Sequence, residues 1–360
     1  MERMAALLQK LSSSLPQDGS AAYAALVVGP HGVRAVAATA GGSGGTAVAA
    51  VGSALGDLAT GEGNDAVSLT GGTVSNVDTG AGADALAIVA ETVSGISTDG
   101  TDGSGTGNDA VAILAQAAQD VSTGGGADAI TVTALLVEGV DAGSGNDALS
   151  VKAGAVAGLS GGEGDDAITV SAGTGAAGVE LVAQLLGLTG AEEDAAETET
   201  AVASADVTVA EDGTVSASAT AVSTVTEAAA QARALYADVS GGAGNDVITV
   251  ASGGPIAISG GTGNDLMNLS GGTAVLLYGA GDGDDTVNLS GGAQVVLQLG
   301  ADAGDYSVEF TDSGTTVHMA SGSVTFTGAT GSIGVVGSDG TLNVLSPPEE
   351  QTVAQIDFAV

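Results

Sequence analysis

The chain contains no cysteine and no tryptophan, and only seven of its 360 residues are phenylalanine or tyrosine. Without cysteine, neither disulfide bonds nor thiolate metal sites can hold the fold together. Because bulky side chains are so rare, a thin, flat core fits the composition better than a rounded one. The apolar content consists mainly of alanine, valine, leucine and isoleucine, and β-branched side chains favour the pleated surface of a strand.

Basic residues are almost as scarce. Five lysines and arginines stand against 43 acidic residues, which gives a net charge of −38. This balance argues against nucleic acid and anionic membranes as partners, because both are bound through lysine and arginine. The mutual repulsion of the carboxylates also opposes compaction, so we expect cations to neutralise the folded state.

Long apolar runs are missing as well. The best candidate for a membrane span, residues 23–40, is interrupted by Pro30, His31 and Arg34, and a helix needs about 18 uninterrupted apolar residues to cross a bilayer. We therefore expect no transmembrane segment. Residues 1–16 lack the apolar stretch and cleavage site of a signal peptide and predict a short amphipathic helix with Leu7, Leu8 and Leu11 on one side.

An internal repeat dominates the rest of the chain. The pattern Gly-x-Gly-x-Asp occurs nine times, with its aspartates at Asp65, Asp84, Asp109, Asp128, Asp147, Asp166, Asp246, Asp265 and Asp285. From one aspartate to the next, the residue number rises by 19 in five steps, by 20 in one, by 25 in one and by 80 in one. The chain from the first motif to the last is therefore a series of 19-residue units, with one six-residue insertion and one long interruption between units.

Apolar residues follow each motif at fixed distances. The second and fourth residues after every aspartate are apolar, as in Val67 and Leu69, which is the period of a strand with one buried face. The twelfth residue is also apolar in eight of nine copies, ending with Ile258, Leu277 and Leu297. Glycines between the fourth and the twelfth residue after the aspartate mark a second turn. Each unit then forms one coil of a flattened solenoid, and stacked coils bury a seam that no single unit could bury.

The motif also has the chemistry of a calcium site. Glycines permit positive φ angles and bring carbonyl oxygens together, while aspartate supplies a hard anionic oxygen. Calcium takes six to eight oxygens at roughly 2.3–2.6 Å, so two turns stacked about 4.8 Å apart would share an ion. Besides the nine aspartates, the predicted ligands are the preceding residues Asn64, Asn108, Asn146, Asp165, Asn245, Asn264 and Asp284, and the glycines Gly63, Gly107, Gly145, Gly164, Gly244, Gly263 and Gly283.

The alternative to calcium at these sites is a turn without metal. A single Gly-x-Gly-x-Asp would indicate a tight turn only, but nine copies in phase with apolar strands favour calcium. Ala83 and Ala127 replace the residue before the aspartate in two copies, so we expect weaker sites there.

The repeats resemble the RTX (repeats-in-toxin) family. Residues 161–169 (GGEGDDAIT) and 241–249 (GGAGNDVIT) match its nonapeptide Gly-Gly-x-Gly-x-Asp-x-U-x, where U is a large apolar residue, at every fixed position. The resemblance covers residues 56–172 and 237–300 and implies an all-β, right-handed parallel β-solenoid similar to the RTX β-roll. The usual roll carries the motif on both edges at a nine-residue spacing. Here it appears once per 19-residue unit, which implies calcium along one edge only.

The resemblance also suggests a domain organisation. We expect an N-terminal helix and cap (1–55), a first RTX block (56–172), a motif-poor acidic segment (173–236), a second block (237–300), a β cap (301–345) and a tail (346–360) similar to the signal of type I secretion substrates. The acidic segment has helix-like pieces at 179–188 and 226–236 and strand-like pieces at 207–210 and 214–218. Degenerate coils and an inserted subdomain remain equal alternatives for it.

No catalytic motif is present. The only histidines are His31 and His318, and a His-Glu-x-x-His metalloprotease motif is absent, so we expect no enzyme. The remaining expectation is a secreted or cell-surface bacterial protein, exported by type I secretion machinery, that binds several calcium ions, folds, and self-associates into a surface layer, matrix or filament. An adhesin or an ice-binding protein is the alternative. Residues 261–279 resemble the 19-residue repeat of an ice-binding RTX adhesin, but only Thr106 and Thr262 place threonine at its turn position.

Overall fold

The computed structural model describes residues 23–26, 45–99, 105–174, 206–209, 215–218, 237–300, 302–311, 314–328, 333–337 and 342–345. Every regular element in these ranges is a strand. The described residues contain no helix that is long and apolar enough to cross a membrane. The strands are β1 (Tyr23–Leu26), β2 (Ala47–Ala59), β3 (Ala66–Asp78), β4 (Ala85–Val89), β5 (Thr92–Ser97), β6 (Ala110–Leu114), β7 (Ala117–Ser122), β8 (Ala129–Thr133), β9 (Leu136–Ser144), β10 (Ala148–Glu163), β11 (Ala167–Thr174), β12 (Asp206–Val209), β13 (Val215–Ser218), β14 (Val239–Ala243), β15 (Val247–Ser252), β16 (Pro255–Thr262), β17 (Leu266–Ser270), β18 (Thr273–Tyr278), β19 (Asp284–Ser290), β20 (Gln294–Leu299), β21 (Ser307–Thr311), β22 (Gly314–Met319), β23 (Gly322–Thr327), β24 (Ile333–Val336) and β25 (Leu342–Leu345).

The strands stack into two parallel layers, and each coil contributes one segment to each layer. The first layer runs β2, β3, β4, β6, β8, β10, β11, β15, β17, β19, β23. The second runs β2, β3, β5, β7, β9, β10, β14, β16, β18, β20, β24, where β2, β3 and β10 are long enough to pass from one layer into the other. The prediction of an all-β parallel solenoid with a coil of about 19 residues is confirmed.

The core lies between the two layers. The second and fourth residues after each motif aspartate point inward, as with Ile168 and Val170, each about 1% exposed. They meet the second layer's side chains, such as Val156 and Leu159, in one continuous apolar cluster. Alternating burial along each strand therefore leaves the intervening side chains on the outer surface.

One predicted core residue is wrong. Leu276, not Leu277, is buried, and it pairs with Ile258 of the preceding coil. Ala251 aligns with Ser270 and Pro255 with Thr273, so the glycine turn at Gly271 and Gly272 is one residue shorter than the one before it. Because the turn is shorter, the inward-facing residue comes one position earlier in the sequence, at Leu276 and not at Leu277.

The two motif blocks form one uninterrupted stack. Strand β11 pairs directly with β15, and β14 lies between β10 and β16. The chain between Thr174 and Ala237 therefore leaves one coil and returns to the same coil, and in the described stack no degenerate coil separates the blocks. Within that interval β12 and β13 form an antiparallel pair near the two predicted strand-like pieces. The predicted helical pieces 179–188 and 226–236 lie outside the described residues.

Both ends of the stack depart from the repeat. At the start, β2 begins at Ala47, upstream of the first motif, and β1 pairs in parallel with it. At the other end β23 and β24 extend the two layers, and β22, β21 and β25 add to them in antiparallel fashion. Phe326 of β23 is the largest fully buried side chain there. The predicted N-terminal helix and the tail 346–360 lie outside the described residues.

Candidate metal centre

The nine motif aspartates form one buried column along a single edge of the solenoid, which we call the aspartate column. Each is between 1% and 3% exposed. In the eight aspartates after Asp65, the Oδ1 atom accepts a hydrogen bond from the backbone N–H of the aspartate one coil earlier, at 2.7–3.0 Å. At the start Thr46 takes the place of an aspartate, and its N–H donates to Asp65. The sequence repeat therefore brings all nine predicted carboxylates into register.

The second carboxylate oxygen has no such partner. The Oδ2 atom is buried and accepts no hydrogen bond in eight of the nine, namely Asp65, Asp84, Asp109, Asp128, Asp147, Asp166, Asp246 and Asp265. An unpaired buried acceptor costs about 1–3 kcal/mol, and more when it is charged. In three coils this oxygen faces the first glycine of the turn, where a Cβ at Gly161, Gly241 or Gly260 would collide with it. The column thus presents one unsatisfied hard oxygen per coil, which fits a calcium ligand.

Burial also changes the acidity of the column. Removal from water raises the pKa of Asp84 and Asp246 to about 7, and that of Asp109 and Asp147 to about 6. The charges of neighbouring members of the column are a further cause of these raised pKa values. A buried row of like charges favours whatever neutralises it, whether a proton or a cation.

The predicted glycine ligands lie in the same turns. Six of the seven have positive φ angles, between 94° and 146°, and Gly107, which follows the six-residue insertion, is the exception. Their carbonyl oxygens press against the glycine of the next coil: a Cβ at Gly145 would collide with the carbonyl oxygen of Gly126. Only glycine fits this stacking, which places rows of main-chain oxygens beside the aspartate column.

The residues that precede the aspartates occupy a different place. They are exposed, and in six of the seven the side-chain oxygen accepts the backbone N–H of the equivalent residue in the following coil, as Asn64 does from Ala83. The seventh, Asp284, accepts the hydroxyl of Ser323 at 2.8 Å. The backbone bonds run in the opposite direction to those of the aspartate column. The structure therefore separates Asn64, Asn108, Asn146, Asp165, Asn245, Asn264 and Asp284 from the buried carboxylates and gives them a part in stacking the turns.

Side chains alone do not form a metal cage. Among the described residues, no three acidic or histidine side chains gather closely enough to hold an ion. Calcium accepts main-chain carbonyl oxygens as ligands in addition to carboxylates. A cation at this edge would therefore need the aspartate column together with the glycine carbonyls.

Sequence reasoning missed a threonine row beside the column. The hydroxyls of Thr60, Thr79 and Thr123 each donate to a carbonyl oxygen one coil further on, at 2.8–3.1 Å. Thr98 does the same at 3.3 Å. The signal was present in the sequence, because three of the four stand five residues before a motif aspartate.

Asp99 was also missed, a buried carboxylate outside the motif that bridges two turns near the column. It is 2% exposed, and its Oδ2 accepts the N–H of Gly125 at 2.7 Å and that of Gly107 at 3.4 Å. Its Oδ1 is buried without a partner. Burial raises the pKa of this carboxyl above its ordinary value. Asp99 stands where neighbouring coils have Gly80 and Gly124, so no repeat pattern predicts it.

Comparison with known families gave no matching family, and comparison with curated proteins found none similar to this chain.

Proposed function

We propose that this protein is a secreted calcium-binding solenoid of the RTX type that folds when calcium binds outside the cell and then self-assembles into a surface layer, matrix or filament. The observation that carries the proposal is the row of eight buried aspartate Oδ2 atoms that accept no hydrogen bond. A calcium ion between adjacent coils would satisfy these oxygens and offset the repulsion between them.

Folding and calcium binding would then be a single process. The unfolded chain does not hold the carboxylates in a column, so the binding free energy of calcium becomes folding free energy. Extracellular calcium modules bind with dissociation constants of about 10⁻⁴–10⁻³ M, far above cytosolic free calcium. With a net charge of −38, the chain would stay expanded inside the cell. That state suits export through a type I secretion channel.

The function proposed here is structural and not catalytic. The outer surface of the first layer consists mostly of short side chains, and the Oδ1 atoms of the buried carboxylates accept backbone N–H groups of the preceding coil. Such an arrangement favours a rod that stacks or associates over a site that turns over a substrate.

The test is far-UV circular dichroism during a calcium titration, with magnesium as the control ion and light scattering of the folded sample. We expect a coil-to-β transition at sub-millimolar to millimolar calcium and none at equal magnesium, followed by growth of particles. Full β structure in chelator would contradict calcium-driven folding. The same transition without assembly would favour an adhesin or ice-binding protein instead.

A further inference from the structure

The outer surface of the first layer carries almost no charge. Its outward positions in the first seven coils of the stack, from β2 to β11, contain one charged residue, Lys152, and are otherwise small or apolar. We call this surface the uncharged face; it comprises Ala47, Ala49, Val51, Ala66, Ser68, Thr70, Ala85, Ala87, Val89, Ala110, Ala112, Leu114, Ala129, Thr131, Thr133, Ala148, Ser150, Lys152, Ala167, Thr169 and Ser171. In the last four strands of the layer it continues from Val247 and Thr249 to Asn288 and Thr327, and the only charged residue there is Asp284 at the turn end of β19, whose carboxylate accepts the Ser323 hydroxyl.

Such a face is unexpected in a chain with 43 acidic residues. The carboxylates are placed elsewhere. The outer surface of the second layer carries Asp57, Asp78, Asp120, Glu138 and Asp141, and the turn edge carries Glu62, Glu163 and Asp165. In the first seven coils of the stack, the two sides of the solenoid therefore differ sharply in charge.

The uncharged face is also open to solvent. Val51 is 70% exposed, Leu114 is 52% exposed and Val89 is 48% exposed. Between them alanines lie in register from coil to coil, as Ala110 does on Ala129. A surface on which most side chains are short and in register can approach another such surface closely, as sheets do in a β-sandwich.

The area is sufficient for a stable contact. Eleven strands at about 4.8 Å and about five residues per strand at about 3.3 Å give a face of roughly 850 Å². A standard stable interface buries about 800 Å² on each partner. The side chain of Lys152, at the rim of the face, is long enough to keep its ammonium group in water.

We propose that the uncharged face is the surface through which two copies of this chain associate, one face against the other. The proposal rests on the self-assembly suggested above and names its contact. Two molecules of charge −38 repel one another, and contact through the turn edge or through the second layer of the first seven coils sets carboxylate against carboxylate. Contact through the uncharged face buries apolar surface and brings almost no carboxylates together.

The absence of native cysteine allows a direct test. In Ala112→Cys, the new thiol is the only one in the chain and lies at an exposed position in the middle of the face. Its rate of reaction with a maleimide is measured in calcium over a range of protein concentrations. We expect the rate to fall as concentration rises. Slow labelling at every concentration would mean that another part of the same chain, such as residues 175–236, covers the face, and fast labelling at every concentration would mean that the face stays free; either result overturns the proposal.

A pair of matched charge variants gives the second test. Thr131→Glu places a carboxylate on the uncharged face, and Thr73→Glu adds the same group at an exposed position of the second layer, where the Thr73 hydroxyl accepts that of Thr92 at 3.2 Å. Sedimentation in calcium should give twice the 33.6 kDa monomer mass, or a multiple of it, for the wild type and Thr73→Glu, and the monomer for Thr131→Glu. Equal loss of assembly in both variants would refute the proposed contact. If all three proteins show no calcium transition by circular dichroism, the proposed function has failed, and not the contact alone.

Discussion

The backbone N–H of Asp166 donates to Oδ1 of Asp246 at 2.8 Å, although 80 residues separate the two along the chain. The same bond joins every other neighbouring pair in the aspartate column, so the column is as regular at this point as in the 19-residue coils. Residues 175–236 are therefore an insertion at the far edge of one coil. The continuity of the column does not depend on them.

This arrangement predicts that residues 175–236 can be replaced by a single valine. Thr174 aligns with Ala155, and Val239 aligns with Leu159, so one residue equivalent to the buried Val156 restores a coil of the usual length. We expect the shortened protein to keep its calcium-dependent β transition, measured by circular dichroism. A variant with four residues in place of the insertion is the control and should also fold, since a longer loop costs little. Loss of the transition in both would show that the insertion holds the two blocks together.

The position of an aspartate in the column should determine how much its mutation weakens calcium binding. Asp128 has column neighbours on both sides, Asp109 and Asp147, whereas Asp65 has only Asp84, because Thr46 takes the next place. Asp128→Asn should raise the calcium concentration at the midpoint of folding more than Asp65→Asn does. Both changes remove one charge and keep the side-chain shape. Equal shifts in a calcium titration would count against ions shared between coils.

Acid should replace calcium in stabilising the fold. The pKa of Asp84, Asp246 and Asp285 is raised to about 7 by burial, against an ordinary value of 3.8. At pH values between 3.8 and about 7, the folded state binds more protons than the unfolded state. The free energy of unfolding therefore falls as the pH rises through this range. In chelator, β structure should therefore increase as the pH is lowered from 8 to about 5. Light scattering at each pH separates folding from precipitation near the isoelectric point, and a β signal that is constant from pH 8 to 5 would contradict the prediction.

Asp99 should matter for stability even without calcium. Asp99→Ala leaves the buried N–H of Gly125 without its carboxylate acceptor, which costs about 1–3 kcal/mol. Asp141→Ala, at an exposed position of the second layer, removes the same charge and should change the unfolding free energy little. Urea denaturation of both variants at acidic pH in chelator makes the comparison. A similarly small loss of unfolding free energy in both variants would mean that water replaces the Asp99 carboxylate as the acceptor for Gly125.

The aspartate column and the strands after it were predictable because the motif repeats with the strand period built in. Leu276 was not, because counting forward from Asp265 assumes a constant turn length, and the turn at Gly271 is one residue short. Asp99 occurs once, so no periodicity could mark it. The insertion was ambiguous because the step of 80 from Asp166 to Asp246 is close to four units of 19, and only the pairing of β11 with β15 separates the two possibilities.

The stacked glycine turns give the sharpest test of the geometry at the metal edge. Gly145 has a φ of 132°, and a Cβ there would collide with the carbonyl oxygen of Gly126 in the preceding coil. Gly292 also has a positive φ, 77°, but nothing lies within 4 Å of its Cβ position. Gly292→Ala should therefore cost only the left-handed backbone strain of about 1–2 kcal/mol. Gly145→Ala should cost more, because the two turns must also move apart, and it should raise the calcium midpoint because the glycine carbonyls shift with them. Equal losses of stability in denaturation at saturating calcium would mean that the coils do not pack as closely at this edge as the structure describes.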